Sequence, residues 1–578
     1  MNLKVLNATS AALALLVSGC GGGGGTDSTP PPSPPPTTPT FSVATGTMTF
    51  SAAKPNAASP APQTLSGSVT GTLSGTLYIV VNATGSAVAG VSNLTMTGTN
   101  SGQVTVTPLS PNSVGAGVHT GTLTIMACVN DPTCNTGKLA GSPATVNVTY
   151  TVGSSVEKDV VAPYVVAANT TGAIIIRGHG LTSTTTVTLG GQNASSFTVV
   201  SESEIHANYP ALPAGTYPVS LNGGAINYHA SLVSVAPINS ATTSLVYPTA
   251  PTGVQGIVYD AERAALLVGV RQLQVGSNAI LRYAYVNGAW QAPTSVIVPA
   301  LEDLLLSNDG TEVLAAADTG ITEIDPQTLA PGSSTLLSTV PSPSPSLVYS
   351  IALANDGNAL LTTNAGGPIR SVVYSTSAKT FTVTGAGPRA ASAFVGTAGA
   401  GGDGSVILIL QGGVTTAQPL LAYPASLGIV LPSMVLLESN VNPFAADGGI
   451  KPATAPSLSS DGTKIVITGH NDVLPDFFFS QVYDANLNLL GSLPNLTLAV
   501  IVRPDGKRAY ALQPSGQLLS FDLTATPAGA AYPQVGSGVS VGTVGETETG
   551  RIKMAISPDG GTLFIAGAGG VAVLPSPP

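Results

Sequence analysis

The chain has 578 residues and a formal net charge of −10; only 8% of its residues are charged, against 67 glycines and 46 prolines. That length allows three or four domains. The Gly and Pro content argues against a helical protein, and scattered Lys and Arg under a net negative charge argue against a nucleic-acid partner. Mean hydropathy is +0.35, but the apolar residues lie in alternating patterns, and no uncharged apolar run reaches the roughly 18 residues of a helical membrane span.

The first twenty residues carry one charge, Lys4, then the apolar run Ala11–Val17, then Leu16-Val-Ser-Gly-Cys20. This resembles a bacterial lipoprotein signal peptide ending in a lipobox. The resemblance implies cleavage before Cys20 and lipidation of that cysteine, so the expected partner at this end is a membrane, through the lipid anchor. No Asp follows Cys20, which leaves inner-membrane retention unsignalled. The expected location is the bacterial cell envelope, at the outer membrane, facing the periplasm or the surface. Residues 21–40 are five glycines followed by a Pro/Ser/Thr run, a linker of floppy and then extended backbone.

Residues 41–153 are rich in Thr, Ser, Val and Gly. Leu73–Val81 and Ala144–Val152 alternate with period two, as half-buried strands do. An immunoglobulin-like β-sandwich is expected. Cys128 and Cys134 flank Asp131-Pro132. Outside the cytoplasm these two thiols should pair across the turn; a metal site would need more ligands than the neighbourhood offers.

Residues 159–235 carry Ala173-Ile-Ile-Ile-Arg-Gly-His-Gly-Leu181, Val187-Thr-Leu-Gly-Gly191 and Leu212-Pro-Ala-Gly-Thr-Tyr-Pro-Val-Ser220. These segments resemble the IPT/TIG family, which implies a second small sandwich acting as spacer or protein-contact module. Leu181 stands where that family has an aromatic.

From residue 240 onward one phrase recurs: an apolar run, an Asp-Gly turn, a second apolar run. The turn Asp residues are Asp260, where Ala261 has replaced the Gly, Asp309, Asp356, Asp403, Asp461, Asp505 and Asp559, separated by between 44 residues (461 to 505) and 58 (403 to 461). A repeat near this length with several strands per unit is the signature of a propeller, and Asp-Gly between apolar runs is a hairpin signal because Gly accepts positive φ. At these turns the chain resembles seven-bladed propellers of the YVTN/NHL type. Too little chain follows Asp559 for a whole blade, so Thr243–Tyr247 is expected to supply its outer strand and close the ring. The fold class is therefore all-β: two immunoglobulin-like β-sandwich domains, then a seven-bladed β-propeller over 240–578.

No catalytic constellation stands out among five dispersed histidines. If the Asp-Gly turns lie on one face of the propeller, the other face carries the remaining turns and the links between blades. His470, Asp472, Asp476, Glu546, Glu548 and Arg271 fall there. The first five could form an acidic pocket for a basic ligand or a cation such as calcium, or they could be solvated loop residues. Two functions compete. One is a monomeric envelope lipoprotein that binds or scaffolds a protein or glycan through this face. The other is a propeller enzyme, a lactonase-like metallohydrolase or a quinoprotein. No resident cofactor is required by the first.

Overall fold

The computed structural model describes residues 10–15, 38–52, 57, 59–92, 94–98, 100–114, 117–153, 158–238, 240–274, 276–340, 347–364, 371–383, 395–400, 406–412, 417–424, 431–437, 450–452, 456–471, 478–494, 497–527, 531–541 and 552–578. The chain forms two compact units, Met1–Ser155 and Val156–Pro578.

In the first unit two sheets face each other. One runs, in spatial order, Ser10–Leu15, Leu77–Gly85, Gly117–Val129, Ala144–Val152, Thr47–Ala52; the other is built on Gln63–Thr70 and Ser101–Pro108. Alternation does the work expected of it: in Ala144–Val152 the residues Val146, Val148, Tyr150 and Val152 are buried and their neighbours point outward. The strand expected from Leu73 begins at Leu77, after a bend at Gly75, whose φ is +120°. Ser10–Leu15, inside the leader-like segment, pairs antiparallel with Leu77–Asn82. Cys20 lies outside the described residues.

Cys128 and Cys134 form a disulfide, with Cα atoms 5.4 Å apart. The intervening turn is held by Asp131, whose carboxylate accepts from the amide and hydroxyl of Thr133 and of Thr136 at 2.7–2.9 Å. Those hydrogen bonds, the Thr133 hydroxyl foremost, keep this carboxyl well below the usual range.

The second unit opens with a sandwich of two sheets, Val160–Ala162, Gly172–Arg177, Glu204–Tyr209, Ser196–Ser201 and Val165–Ala167, Ser231–Val235, Gly215–Leu221, Val187–Leu189, Gln192–Asn193. Leu181 is fully buried in its core. Gly180, in the preceding turn, has φ +70°, the conformation that a Cβ disfavours.

Seven antiparallel sheets follow, each of four strand positions, so the propeller has seven blades. The outer position of the first blade is split between Ala289–Trp290 and Thr294–Ile297, and the inner position of the fifth between Ile450–Pro452 and Ser457–Leu458. Thr243–Leu245 pairs antiparallel with Val571–Val573 and so supplies the outer strand of the last blade. Around this closure Leu266, Val268 and Val270 of blade 1 share a core with Phe564, Ala566 and Val571 of blade 7. Trp290, the chain's one tryptophan, packs edge-on to Phe564 at 5.8 Å. Apolar faces that one blade leaves open are thereby covered by its neighbours.

Candidate functional site

The recurrent turn is a small hydrogen-bonded box. In blade 2, Ser307 Oγ donates to Asp309 Oδ1 at 2.7 Å, the same oxygen accepts from the Thr311 amide and hydroxyl, and Ser307 Oγ in turn accepts from the Glu312 amide at 3.0 Å. Blade 5 repeats it with Ser459, Asp461, Thr463 and Lys464. Gly310 and Gly462 follow their Asp with φ of +68° and +67°. These aspartates accept hydrogen bonds within their own turns, as turn chemistry requires.

Among the described residues each such turn joins a blade's first and second strands, so these turns lie on one face; Asp403 lies outside the described residues. The IPT/TIG-like sandwich sits on that face. Along its Gly172–Arg177 and Glu204–Tyr209 strands, Ile174, Ile176, Ile205 and Ala207 point into its own core. The alternate residues point outward, yet Ile175, Arg177 and Glu204 are buried. Ala173, at the other end of the same outward face, stays exposed, and so does His206, which pairs opposite Ile175. One end of the sheet is therefore seated on the propeller and the other end overhangs it.

The seat is polar and closely fitted. Lys158 Nζ meets Asp309 Oδ2 at 2.8 Å. The Tyr164 hydroxyl is buried without a hydrogen-bond partner, and a Cβ added at Gly310 would come within 2.4 Å of it. Burial raises the Tyr164 pKa, and Asp260 and Glu262 of blade 1 add to the effect. Burial opposes ionisation of Asp309, but Lys158 and the Thr311 and Ser307 hydroxyls outweigh it, and the carboxyl is held well below its usual range. One blade on, Asp356 is enclosed completely. Burial pushes its pKa up to about 6, although Tyr423 donates to it and Arg177 of the sandwich lies near enough to lower it.

Under the overhang is a cavity of about 1220 Å³ that continues into the propeller channel. Asp303 and Lys553, on the innermost strands of blades 2 and 7, both line it. Asp303 accepts from the amides of Leu304 at 2.9 Å and Ile351 at 3.1 Å. Burial raises its pKa, with Lys553 the largest opposing influence. Neither residue was singled out from the sequence. The available signal was a charge inside each short apolar first strand, at Leu301-Glu-Asp-Leu304 and Ile552-Lys-Met-Ala555.

On the opposite face, Arg271 Nη2 donates to both carboxylate oxygens of Glu302 at 2.9 and 2.8 Å, and Gln255 Nε2 donates to the same group at 2.8 Å. Arg271 thus ties blade 1 to blade 2. Burial raises the Glu302 pKa and Arg271 opposes that shift. His470 lies in the second strand of blade 5, its backbone opposite Lys451 and Phe478. Asp472, Asp476, Glu546 and Glu548, and with them the expected acidic pocket, lie outside the described residues. Among the described residues no group of three His, Cys, Asp or Glu could hold a metal ion, and no helix is long and apolar enough to cross a membrane.

No curated protein matches the chain. Among solved structures, hydrazine synthase of Kuenenia stuttgartiensis aligns over 57% of this chain and 97% of its own, at 15% identity and a TM-score of 0.40. Residues 159–236 match the family model of the IPT/TIG domain. A domain of that family, here seated on the turn face of a propeller, suggests a binding or scaffolding module.

Proposed function

We propose that this protein is an envelope lipoprotein, anchored through Cys20, whose YVTN/NHL-type propeller binds or scaffolds a protein or glycan through the face opposite its Asp-Gly turns. The observation that carries this reading is the seating of the IPT/TIG domain. Lys158 on Asp309 and Tyr164 against Gly310 commit the turn face over blades 1 and 2 to an intramolecular contact. The loops of the other face remain for a partner, which is where propellers present variable side chains on a rigid scaffold. Leu273, in the loop after the second strand of blade 1, stands 86% exposed there.

Two measurements test the proposal. Palmitate labelling of the expressed protein should be lost on Cys20→Ser. A photo-crosslinker at Leu273 should give one recurrent adduct with an envelope component, and the same group at Thr463, on the turn face, should not. Equal adducts from both positions, or none from Leu273, would overturn the assignment of the face.

A further inference from the structure

The cavity beneath the overhanging sandwich belongs to neither the proposed partner face nor the seat. Its volume, about 1220 Å³, is somewhat above the roughly 300–1,000 Å³ of small-molecule sites. Its walls mix polar groups with an aliphatic strip: Val165 and Ile175 from the sandwich, and Ile257, Ile351, Ile501 and Ile556 from innermost propeller strands. At its rim Arg503 is occupied by its neighbours, with Nε 3.7 Å from Asp505 and Nη2 donating to the Asp559 carbonyl at 3.5 Å. Lys507 and the carboxylates of Asp461, Asp505 and Asp559 line the same cavity, so both signs of charge stand near the rim.

Selection falls to the inner end. Lys553 is the first residue of its strand and only half-buried, and it acts on Asp303 through space, without a hydrogen bond or ion pair to it. Asp303 is differently placed. Its two oxygens already accept from the Leu304 and Ile351 amides, and Gly256 leaves the room into which its Oδ1 fits, a Cβ there coming within 2.9 Å of that oxygen. Asp303 is thus engaged in tying the innermost strands of blades 2 and 3 together, while among the described residues the ammonium of Lys553 has no hydrogen bond or ion pair. An ammonium at the inner end of a passage with an aliphatic strip along its wall is matched by an anion on an apolar body.

We infer that this cavity is a ligand site for an amphiphilic carboxylate, with the carboxylate on Lys553 and the aliphatic body running out beneath the IPT/TIG overhang. A zwitterion is disfavoured, because Asp303 is already held in place by two backbone amides, which fix its oxygens toward the strands.

Isothermal titration of the purified full-length protein with octanoate, 1-octanol, octylamine and 8-aminooctanoate tests this. Octanoate should bind saturably at one site, about tenfold or more tighter than 1-octanol, as a charge-assisted hydrogen bond in a partly dehydrated site requires. Lys553→Met should remove that advantage, and Lys507→Met at the rim should leave it intact. Thermal melting reports whether Lys553→Met folds. Should it not, Ala173→Trp on the exposed overhang should block octanoate without touching the channel. Octanoate binding no tighter than 1-octanol, tighter binding of octylamine or 8-aminooctanoate, unchanged octanoate binding by a folded Lys553→Met protein, or unchanged binding by Ala173→Trp would each overturn the inference. None of these outcomes bears on the partner face, which lies at the other end of the channel.

Discussion

Asp309 and Asp356 occupy the same position in neighbouring blades, each followed by a glycine at positive φ. Their chemistry is opposite. Asp309 is depressed by Lys158 and two hydroxyls acting against burial, whereas Asp356 is pushed up to about 6 by burial that the Tyr423 hydroxyl and Asn358 only partly offset. Blade 2 has Ser307 to complete the box, and blade 3 has Ala354 at that place. The motif sets the path of the backbone; what covers the turn sets the charge.

The comparison extends to the glycines, where the largest effect is expected. Gly310→Ala meets both a positive φ, costing about 1–2 kcal/mol, and the Tyr164 ring, costing roughly 1–3 kcal/mol more if the seat must shift. Gly462 has nearly the same φ, and a Cβ there meets nothing within 4 Å; only the backbone cost should remain. Melting of the two alanine variants should differ by several degrees. Equal melting would mean that the sandwich is not pressed onto blade 2.

The aspartates themselves come next. The depressed pKa of Asp309 contributes stability that is present above its ordinary value and is lost as pH falls through the folded one. Asn at this position should destabilise by about 1–2 kcal/mol at pH 7, with the deficit shrinking in acid. Asp356 has the opposite sign: its folded pKa of about 6 lies above the ordinary 3.8, so the folded state holds its proton longer and stability falls as pH rises between those values. Asp356→Asn should therefore gain on the parent protein from pH 4 to pH 8. Urea midpoints from roughly pH 2 to pH 8 check both, with the Asp309 change falling below the ordinary carboxylate value and the Asp356 change above it, and parallel curves for the two variants would refute the contrast.

The smallest effect sharpens the account of the seat. The buried Tyr164 hydroxyl has no hydrogen-bond partner, so Tyr164→Phe removes an unsatisfied group and keeps the ring against Gly310. Stability should be unchanged or rise by about 1 kcal/mol. A loss of that size in chemical denaturation would reveal a hydrogen bond the seat depends on.

Much of the architecture was legible because it depends on local rules. Period-two burial marked Ala144–Val152 to the residue. The turn box needs only Ser, Asp and Gly at fixed offsets, and the outer strand at Thr243–Leu245 followed from counting strands after Asp559. Cys128 and Cys134 were close enough in sequence to pair across one turn. The site was far less legible. Arg271 was chosen for its place at the end of a strand, but that place puts it beside Glu302, 31 residues away in the next blade. Asp303 and Lys553 come from blades separated by 250 residues of chain, and no local pattern joins them.

What the sequence by itself determined is the repeat, the closure and the modular order, since hairpins and alternating burial are encoded within a few residues. Only tertiary structure decided which face the IPT/TIG domain covers. That choice rests on side chains such as Lys158 and Tyr164 meeting turns about 150 residues further along. It also decided that Asp303 and Lys553 line one cavity, because that depends on which innermost strands face each other across the channel, and distance along the chain carries no record of that.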